Sequence, residues 1–337
     1  MRKIKVLVVD DSLIFREILA RGISTDPSIE VVAKAVDPFD ARDKILEYSP
    51  DVMTCDIEMP KMNGIEFIKR LLPQYPLPIV VVSSVSMAVF EAMKAGAVDF
   101  VTKPNVQAVQ DVENFIYELI EKIKIAVNAK ILNYDGQHSP KIIEEGASVS
   151  GKIIAVGAST GGTEAVTSII RALPSNIPGI VVTQHIPPIF SKMFADRLNE
   201  STQLRVKEAQ TGDYVEPGSV LVAPGGKHMK IKKIGERYRA ECFEGDKVNG
   251  HCPSIDVLFE SVAKEAGQKA IGVILTGMGY DGAKGLLAMR RKGARTLGQD
   301  EKSSVVYGMP KVAFEIGAVE RQIPLESMAQ AFMTLLR

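Results

Sequence analysis

A serine within a glycine-rich turn is the first candidate for chemistry. Gly157-Ala158-Ser159-Thr160-Gly161 matches the pattern G-x-S-x-G and follows an apolar run that predicts a strand. Small flanking residues let a serine occupy a tight turn between strand and helix, where Oγ is exposed and helix N–H groups point at a developing oxyanion. A phosphate-binding loop is the alternative, although the segment lacks the G-x-G-x-x-G spacing and the lysine of a P-loop.

A serine hydroxyl needs a base, and the sequence contains four histidines. His185 directly follows a predicted strand, and consecutive parallel strands usually lie side by side, so its position favours His185 as the base. His138 falls in a segment without regular periodicity and is a poor candidate. His228 and His251 follow turns, and the sequence leaves open whether they are structural or line a substrate groove.

The base in turn needs a carboxylate to orient it. Asp281 lies in a glycine-rich loop just after a predicted strand, and it can reach the same edge of the sheet. Asp246 and Asp256 are weaker alternatives. The chain order Ser159, His185, Asp281 differs from the serine, acid, histidine order of α/β-hydrolases, which argues against that fold.

A cluster of acids in the first third of the chain is the second candidate. Asp10 and Asp11 end one predicted strand and Asp56 ends another, and these strands are neighbours in the common 2-1-3-4-5 order. Three carboxylates in one crevice repel one another unless a cation joins them. Mg²⁺ prefers such oxygen ligands and keeps waters for an incoming phosphate. Lys103 and Ser83 follow two later strands and can supply a cation and a hydroxyl to a phosphoryl group.

The elements that must position these residues alternate between strand and helix. Five β/α units over residues 1–125 predict a doubly wound parallel sheet, and a second α/β region begins near residue 151. Residues 205–245 have the pattern of short strands and turns. The fold class is therefore α/β, with two doubly wound parallel-sheet domains. The strands and helices predicted in the second region are 152–156, 162–172, 179–184, 190–199, 255–266, 270–276 and 282–292.

Residues 131–150 lose this periodicity and gather Gly, Pro and Ser, so we interpret them as a linker. We expect domains at 1–125 and 151–337, with the end of the last helix and the linker at 126–150. The distribution of charged residues agrees with a division of the chain into two domains. Residues 1–125 contain 15 Lys+Arg against 19 Asp+Glu, and the rest of the chain contains 26 against 22.

The composition excludes several classes of protein. Hydrophobic residues are 46% and charged residues 24% of the 337, which is typical of globular chains, and the zero net charge argues against coating of nucleic acid. No apolar run approaches the roughly 18 residues of a membrane span, and the run at 6–9 is too short for a signal peptide. Cys55, Cys242 and Cys252 are scattered, which argues against disulfides or zinc, so we expect a cytoplasmic protein.

Residues 1–125 resemble the receiver domain of two-component response regulators. The resemblance implies that Asp56 becomes an aspartyl phosphate taken from a histidine kinase. It also implies that Asp10, Asp11 and Asp56 hold Mg²⁺ and that Lys103 contacts the phosphoryl group. The residues that carry it are Asp10-Asp11, Asp56 with Ile57-Glu58-Met59-Pro60, Ser83 and Lys103-Pro104.

The rest of the chain resembles the chemotaxis protein-glutamate methylesterase family. The resemblance implies that Ser159 is the nucleophile, His185 the general base and acid, and Asp281 the orienting carboxylate. The backbone N–H groups of Thr160 and Met278 are then the oxyanion donors. The segments that carry it are 157–162, Gln184-His185, Ala223-Pro224-Gly225 with Lys227-His228, 253–259 and 276–282.

This family demethylates glutamate methyl esters, and often deamidates glutamines, on methyl-accepting chemotaxis receptors. The resemblance implies these receptors as substrate, a chemotaxis histidine kinase as phosphodonor, and no cofactor in the catalytic domain. It implies neither nucleic-acid binding nor membrane insertion. The receiver is expected to block the catalytic rim until phosphorylation of Asp56 weakens its docking. Ser83 and Phe100 fall at the receiver switch positions, where Phe100 replaces a commoner Tyr.

Three interpretations remain open. The second domain could bind DNA, although it shows no helix-turn-helix signal. Residues 157–162 could bind a nucleotide. Basic clusters at 230–233 and 290–292 could attract an acidic receptor helix, or they could be solvated surface residues. The sequence offers no interpretation of Tyr280, the residue before Asp281.

Overall fold

The computed structural model describes residues 2–84, 87–104, 108–131 and 151–336. The chain divides into two compact units, residues 1–135 and 136–337. The division falls among residues 132–150, where His138 and most of the predicted linker also lie, outside the described residues. The expected boundaries at 125 and 151 therefore stay predictions.

The first unit is a five-stranded sheet with the order β2-β1-β3-β4-β5, and every pair of neighbouring strands is parallel. This confirms the predicted order. Strands β3 and β4 are buried along their whole length, as expected for apolar strands covered on both faces. The elements are β1 (Ile4–Val9), α1 (Leu13–Ile23), β2 (Ile29–Ala35), α2 (Pro38–Tyr48), β3 (Val52–Asp56), α3 (Gly64–Leu71), β4 (Ile79–Ser83), α4 (Ala88–Lys94), β5 (Asp99–Thr102) and α5 (Val109–Ala126).

The register of this sheet brings its functional candidates to one edge. Val9, just before Asp10, pairs with Cys55, just before Asp56. Between strands β4 and β5 of the same sheet, Ser83 pairs with Thr102, the residue before Lys103. Open parallel sheets bind ligands at the carboxyl ends of adjacent strands. The side chains that lie there are those of Asp10, Asp56, Ser83 and Lys103.

The second unit is a seven-stranded parallel sheet with the order β14-β13-β12-β6-β7-β9-β8 and a separate antiparallel hairpin, β10-β11. The predicted α/β class is confirmed. The two strands and two helices that follow residue 292 were not predicted from the sequence. In chain order the elements are β6 (Ile153–Ala158), α6 (Gly162–Ala172), β7 (Gly179–Gln184), α7 (Phe190–Ser201), β8 (Arg205–Glu208), β9 (Ser219–Val222), β10 (His228–Ile234), β11 (Arg237–Phe243), α8 (Ile255–Glu265), β12 (Ala270–Ile274), α9 (Ala283–Arg291), β13 (Arg295–Gln299), α10 (Met309–Glu315), β14 (Arg321–Ile323) and α11 (Leu325–Leu336).

Strand β6 lies at the centre of this sheet, between β7 and β12. Ala158 pairs with Gln184, and Gly157 pairs with Ile274. The loops that follow the three strands therefore begin side by side. Helix α8 packs below them, and its Ile255 and Phe259 are fully buried in the core of this unit.

Across the described residues, no helix combines the length and the apolar character needed to cross a membrane.

Candidate active site

Three side chains form a hydrogen-bonded chain at the carboxyl ends of β6, β7 and β12. Ser159 Oγ lies 3.2 Å from His185 Nδ1, and His185 Nε2 lies 2.9 Å from Asp281 Oδ2. The His185 side chain is 8% exposed and that of Asp281 is 1% exposed. The structure thus brings together the three residues that the sequence selected from separate segments. A hydroxyl, an imidazole and a buried carboxylate in this order can activate the hydroxyl as a nucleophile.

Ser159 occupies the tight turn between β6 and α6. Its N–H donates to the Thr276 carbonyl at 3.0 Å, and its own carbonyl accepts from Gly162 at 2.7 Å. Gly161, the residue before helix α6, has a φ of +75°, in the left-handed region that residues with a side chain rarely adopt. A Cβ on Gly157 would lie 2.3 Å from Ile255 Cγ2, so the strand approaches α8 closely. Both glycines of the motif therefore serve the turn geometry.

His185 is fixed to the same turn by its backbone and by its neighbour in sequence. Its N–H donates to the Ala158 carbonyl at 3.1 Å. The Gln184 amide donates to the carbonyls of Ser159, at 2.8 Å, and of His185, at 3.1 Å. Gln184 therefore ties the end of β7 to the turn that carries the serine.

Asp281 lies at the amino end of helix α8. Its carboxylate accepts from the backbone N–H of Ile255 at 2.6 Å, from Ser254 Oγ at 2.8 Å and from Asn249 Nδ2 at 2.8 Å. Burial disfavours its charge, but the His185 partner and these donors outweigh burial and hold the pKa of Asp281 well below its usual range. The carboxylate is thus kept ionised beside the imidazole.

The two rival acids have other roles. Asp256 accepts from the backbone N–H of Gly285 at 2.7 Å and from Asn249 at 2.8 Å, and burial raises its pKa. The backbone carbonyl of Asp246 accepts from His228 Nε2 at 2.9 Å. His228 is fully buried, and its Nδ1 accepts from the backbone N–H of Ser254 at 3.2 Å. These contacts give His228 a structural role.

Sequence reasoning missed two residues around the site and left the role of a third open. Asn249, at φ +53°, bridges the carboxylates of Asp256 and Asp281, and Ser254 holds Asp281 while capping α8. His251 stacks on His185. Ser254 had a usable signal, because serine before an apolar-periodic helix is a common cap. Asn249 had none, and the role of His251 stayed open, since both depend on contacts across the fold.

The two loops with the expected oxyanion donors meet at the serine. A Cβ on Gly277, the residue before Met278, would lie 2.6 Å from the Cβ of Ser159. Thr276 Oγ donates to the Thr160 carbonyl at 3.0 Å, which joins the same two loops. Thr160 is buried, whereas the Met278 and Tyr280 side chains are about half exposed at this rim.

The acid cluster of the first unit also assembles. Carboxylate oxygens of Asp10, Asp11 and Asp56 lie within 4.8 Å of one another. Lys103 Nζ lies 2.6 Å from Asp56 and 3.0 Å from Asp10. Burial raises the pKa of Asp10; burial also opposes the charge of Lys103, but the two carboxylates raise its pKa. Buried acids beside an exposed Asp11 form a donor set that fits Mg²⁺, a hard cation that prefers carboxylate oxygens.

The two predicted switch residues lie on neighbouring strands. Ser83 is fully buried at the end of β4, and among the described residues its Oγ has no hydrogen-bond partner. Phe100 on β5 is 4% exposed, with Lys122 Nζ 5.0 Å from its ring centroid. Ser83 follows Val82, which pairs with Asp56, so it lies on the strand next to that carboxylate.

The basic clusters are engaged in local contacts. Lys232 pairs with Glu241 at 3.0 Å, and Lys230 lies over the Phe243 ring at 4.2 Å. Arg290 donates to the carbonyls of Gly317 and Val319. These contacts occupy three residues of the two clusters, and attraction of an acidic helix stays a prediction.

Comparison with known proteins gives consistent similarities. Residues 154–332 match the family described as CheB methylesterase, and residues 6–112 match the response regulator receiver domain. The chain is 56% identical to a protein-glutamate methylesterase/protein-glutamine glutaminase of Syntrophomonas wolfei, over 100% of this chain and 98% of that protein. A protein of the same description from Salmonella typhimurium is 44% identical over 99% and 97%. The crystal structure of the Thermotoga maritima CheB methylesterase catalytic domain is 39% identical with a TM-score of 0.54, covering 56% of this chain and all of that domain.

Proposed function

The chain belongs to the CheB methylesterase family and carries a response regulator receiver domain, and from this premise we propose a phosphorylation-activated hydrolase of methylated chemotaxis receptors. It is a protein-glutamate methylesterase, of the class whose relatives are also named protein-glutamine glutaminases. The observation that carries the proposed mechanism is the Ser159–His185–Asp281 chain, with contacts of 3.2 and 2.9 Å.

The first half of the reaction forms an acyl-enzyme. His185 Nδ1 accepts the Ser159 proton as Oγ attacks the γ-carbonyl of a glutamate methyl ester. The resulting imidazolium is stabilised by Asp281, which stays ionised because of its hydrogen bonds. His185 then gives the proton to the departing methoxide, and methanol leaves.

The second half restores the enzyme. His185 takes a proton from a water that attacks the acyl-enzyme, and it returns that proton to Ser159 as glutamate is released. A primary amide passes through the same type of tetrahedral intermediate, with ammonia in place of methanol. One site can therefore serve both demethylation of glutamate esters and deamidation of glutamines.

The developing oxyanion needs donors near Ser159. We assign the backbone N–H groups of Thr160 and Met278, which lie on the two loops that Thr276 joins. Removal of one such donor typically costs about 3–4 kcal/mol at the transition state. Because such donors are directed at the oxyanion position, they stabilise the reacting carbonyl group only as negative charge develops on its oxygen.

The receiver unit supplies control through Asp56. We propose that Asp56 accepts a phosphoryl group from a chemotaxis histidine kinase, with Mg²⁺ held by Asp10, Asp11 and Asp56. When bound, Mg²⁺ neutralises charge on the carboxylates and the incoming phosphoryl group. Lys103 then pairs with a phosphoryl oxygen, and Ser83 Oγ can donate to another. Phe100, the second switch residue, responds to phosphorylation of Asp56 together with Ser83.

The unphosphorylated receiver restricts access of the receptor helix to Ser159, and phosphorylation shifts the population toward accessible enzyme. The acidic and basic halves of the sequence are compatible with such an encounter. We place the protein in the cytoplasm, where cysteines without disulfide partners are stable. Neither nucleic acid nor membrane insertion has a place in this scheme.

The test is methanol release from methylated receptor by the full chain. Ser159→Ala should abolish release, and a phosphodonor should raise release by the wild-type chain. The Asp56→Asn variant should keep the basal rate and lose the rise. Methanol release by Ser159→Ala would overturn the assignment of the nucleophile, and an equal response of Asp56→Asn would overturn phosphorylation control.

A further inference from the structure

The ring of His251 lies flat against the ring of His185. Their centroids are 3.7 Å apart and their planes differ by 10°. His251 belongs to the loop between β11 and α8, where its N–H and carbonyl pair with those of Val248, each at 3.0 Å. Asn249, in the same loop, donates to Asp281. A single short loop therefore contacts two members of the triad.

The stack supplies a constraint that the triad hydrogen bonds do not. Ser159 and Asp281 contact His185 at its two ring nitrogens, at 3.2 and 2.9 Å. The soft motion of the imidazole is rotation about its Cβ–Cγ bond, which would carry Nδ1 away from Ser159. A second ring against its face opposes this rotation, since any tilt would bring ring atoms into contact.

We propose that His251 is a positioning residue for hydrolysis, because its ring fixes the plane of the His185 imidazole so that Nδ1 stays directed at Ser159. This inference rests on the proposed function of the triad. Displacement of a reacting group by about 1 Å can cost a hundredfold in rate, so a loosely held base would be slow. His251 itself exchanges no proton with the substrate in this scheme.

The charges around His251 suit this role. The groups that face it are His185 and Asp281 from the triad loops and Lys247 from its own loop. Burial, and then the charge of His185, lower the pKa of His251 to about 4, so it is neutral when His185 takes up a proton. A neutral ring face can contact an imidazolium favourably, whereas a second cation at this distance would oppose proton transfer.

Kinetic variants of the full chain test the proposal. His251→Ala removes the stack and should lower kcat for methanol release roughly ten- to hundredfold, with KM nearly unchanged. His251→Phe and His251→Tyr restore a ring without an imidazole and should recover kcat to within about threefold of wild type. Tyr214→Ala is a matched control, because its ring contacts Arg237, at 3.8 Å, rather than the triad. It should keep the wild-type kcat.

Three results would overturn the proposal: wild-type kcat in His251→Ala, equal loss of kcat in the alanine and both aromatic variants, or a change confined to KM. Absence of Ser159-dependent release by the wild-type chain would instead contradict the proposed function. If His251→Ala does not fold, proton NMR of the wild-type chain decides. The His185 ring protons should be shifted upfield by the ring current of His251, and unshifted resonances would exclude the stack.

Discussion

The backbone N–H of Ile255 donates a 2.6 Å hydrogen bond to Asp281 Oδ2, the same oxygen that lies 2.9 Å from His185 Nε2. Ile255 is the first residue of helix α8, and unpaired N–H groups at a helix start favour an anion. Helix α8 also packs against β6 through Ile255, which touches the position of Gly157. The helix that stabilises the carboxylate therefore also supports the strand that carries the nucleophile.

Replacement of Asp281 should test whether its carboxylate orients His185 for proton transfer. We expect Asp281→Asn to lower kcat roughly 10³–10⁴-fold, because the amide has one acceptor oxygen where the carboxylate has two. Its NH2 group would face either the donors Asn249 Nδ2 and Asp256 N–H or the donors Ile255 N–H and His185 Nε2. Asp256→Asn is the matched control. Burial raises the pKa of Asp256, so a neutral amide should be tolerated, with kcat reduced less than about tenfold. Methanol release measures both, and equal losses would contradict the assignment of Asp281.

The cap of α8 should link stability with activity. Ser254→Ala removes a 2.8 Å hydrogen bond to Asp281 and a helix cap, and should cost about 0.5–2 kcal/mol in the free energy of unfolding. It should also lower kcat roughly tenfold, because a charged acceptor loses one donor. Asn63→Ala removes a cap of α3 in the receiver unit, with a comparable stability loss and no change in basal kcat. Denaturant unfolding and methanol release, measured on both variants, check this; unchanged kcat in Ser254→Ala would contradict it.

Much of this site could be predicted from the sequence, for a physical reason. Ser159, His185 and Asp281 each follow an apolar run, and parallel strands deliver the residues after their carboxyl ends to one edge. Asn249 and His251 lie in an irregular loop after a hairpin, so their positions depend on tertiary contacts that no local pattern encodes. The same holds for β14, a three-residue strand too short for a periodic signal.

Phosphorylation should depend on one carboxylate of β3 and its metal site. Asp56→Asn should abolish labelling by acetyl phosphate, and a chelator of Mg²⁺ should suppress labelling of the wild-type chain. Asp51→Asn is the matched control, because Asp51 lies just before the same strand and pairs with Arg2 outside the cluster. It should be labelled like wild type. Labelling of Asp56→Asn at the wild-type level would place the phosphoacceptor elsewhere.

Burial of His251 should give the protein a defined dependence of stability on pH. The pKa of His251 falls from 6.5 to about 4 on folding, so between these values the unfolded chain binds more protons than the folded chain. The free energy of unfolding should therefore decrease as pH falls through this interval, and this contribution should be constant above it. His251→Phe keeps a ring but removes the titration. The difference in unfolding free energy between wild type and His251→Phe, from urea unfolding, should therefore change between pH 4 and 6.5 and stay level at higher pH. Since other titrating groups are common to both proteins, parallel curves would show that His251 is not held neutral by the fold.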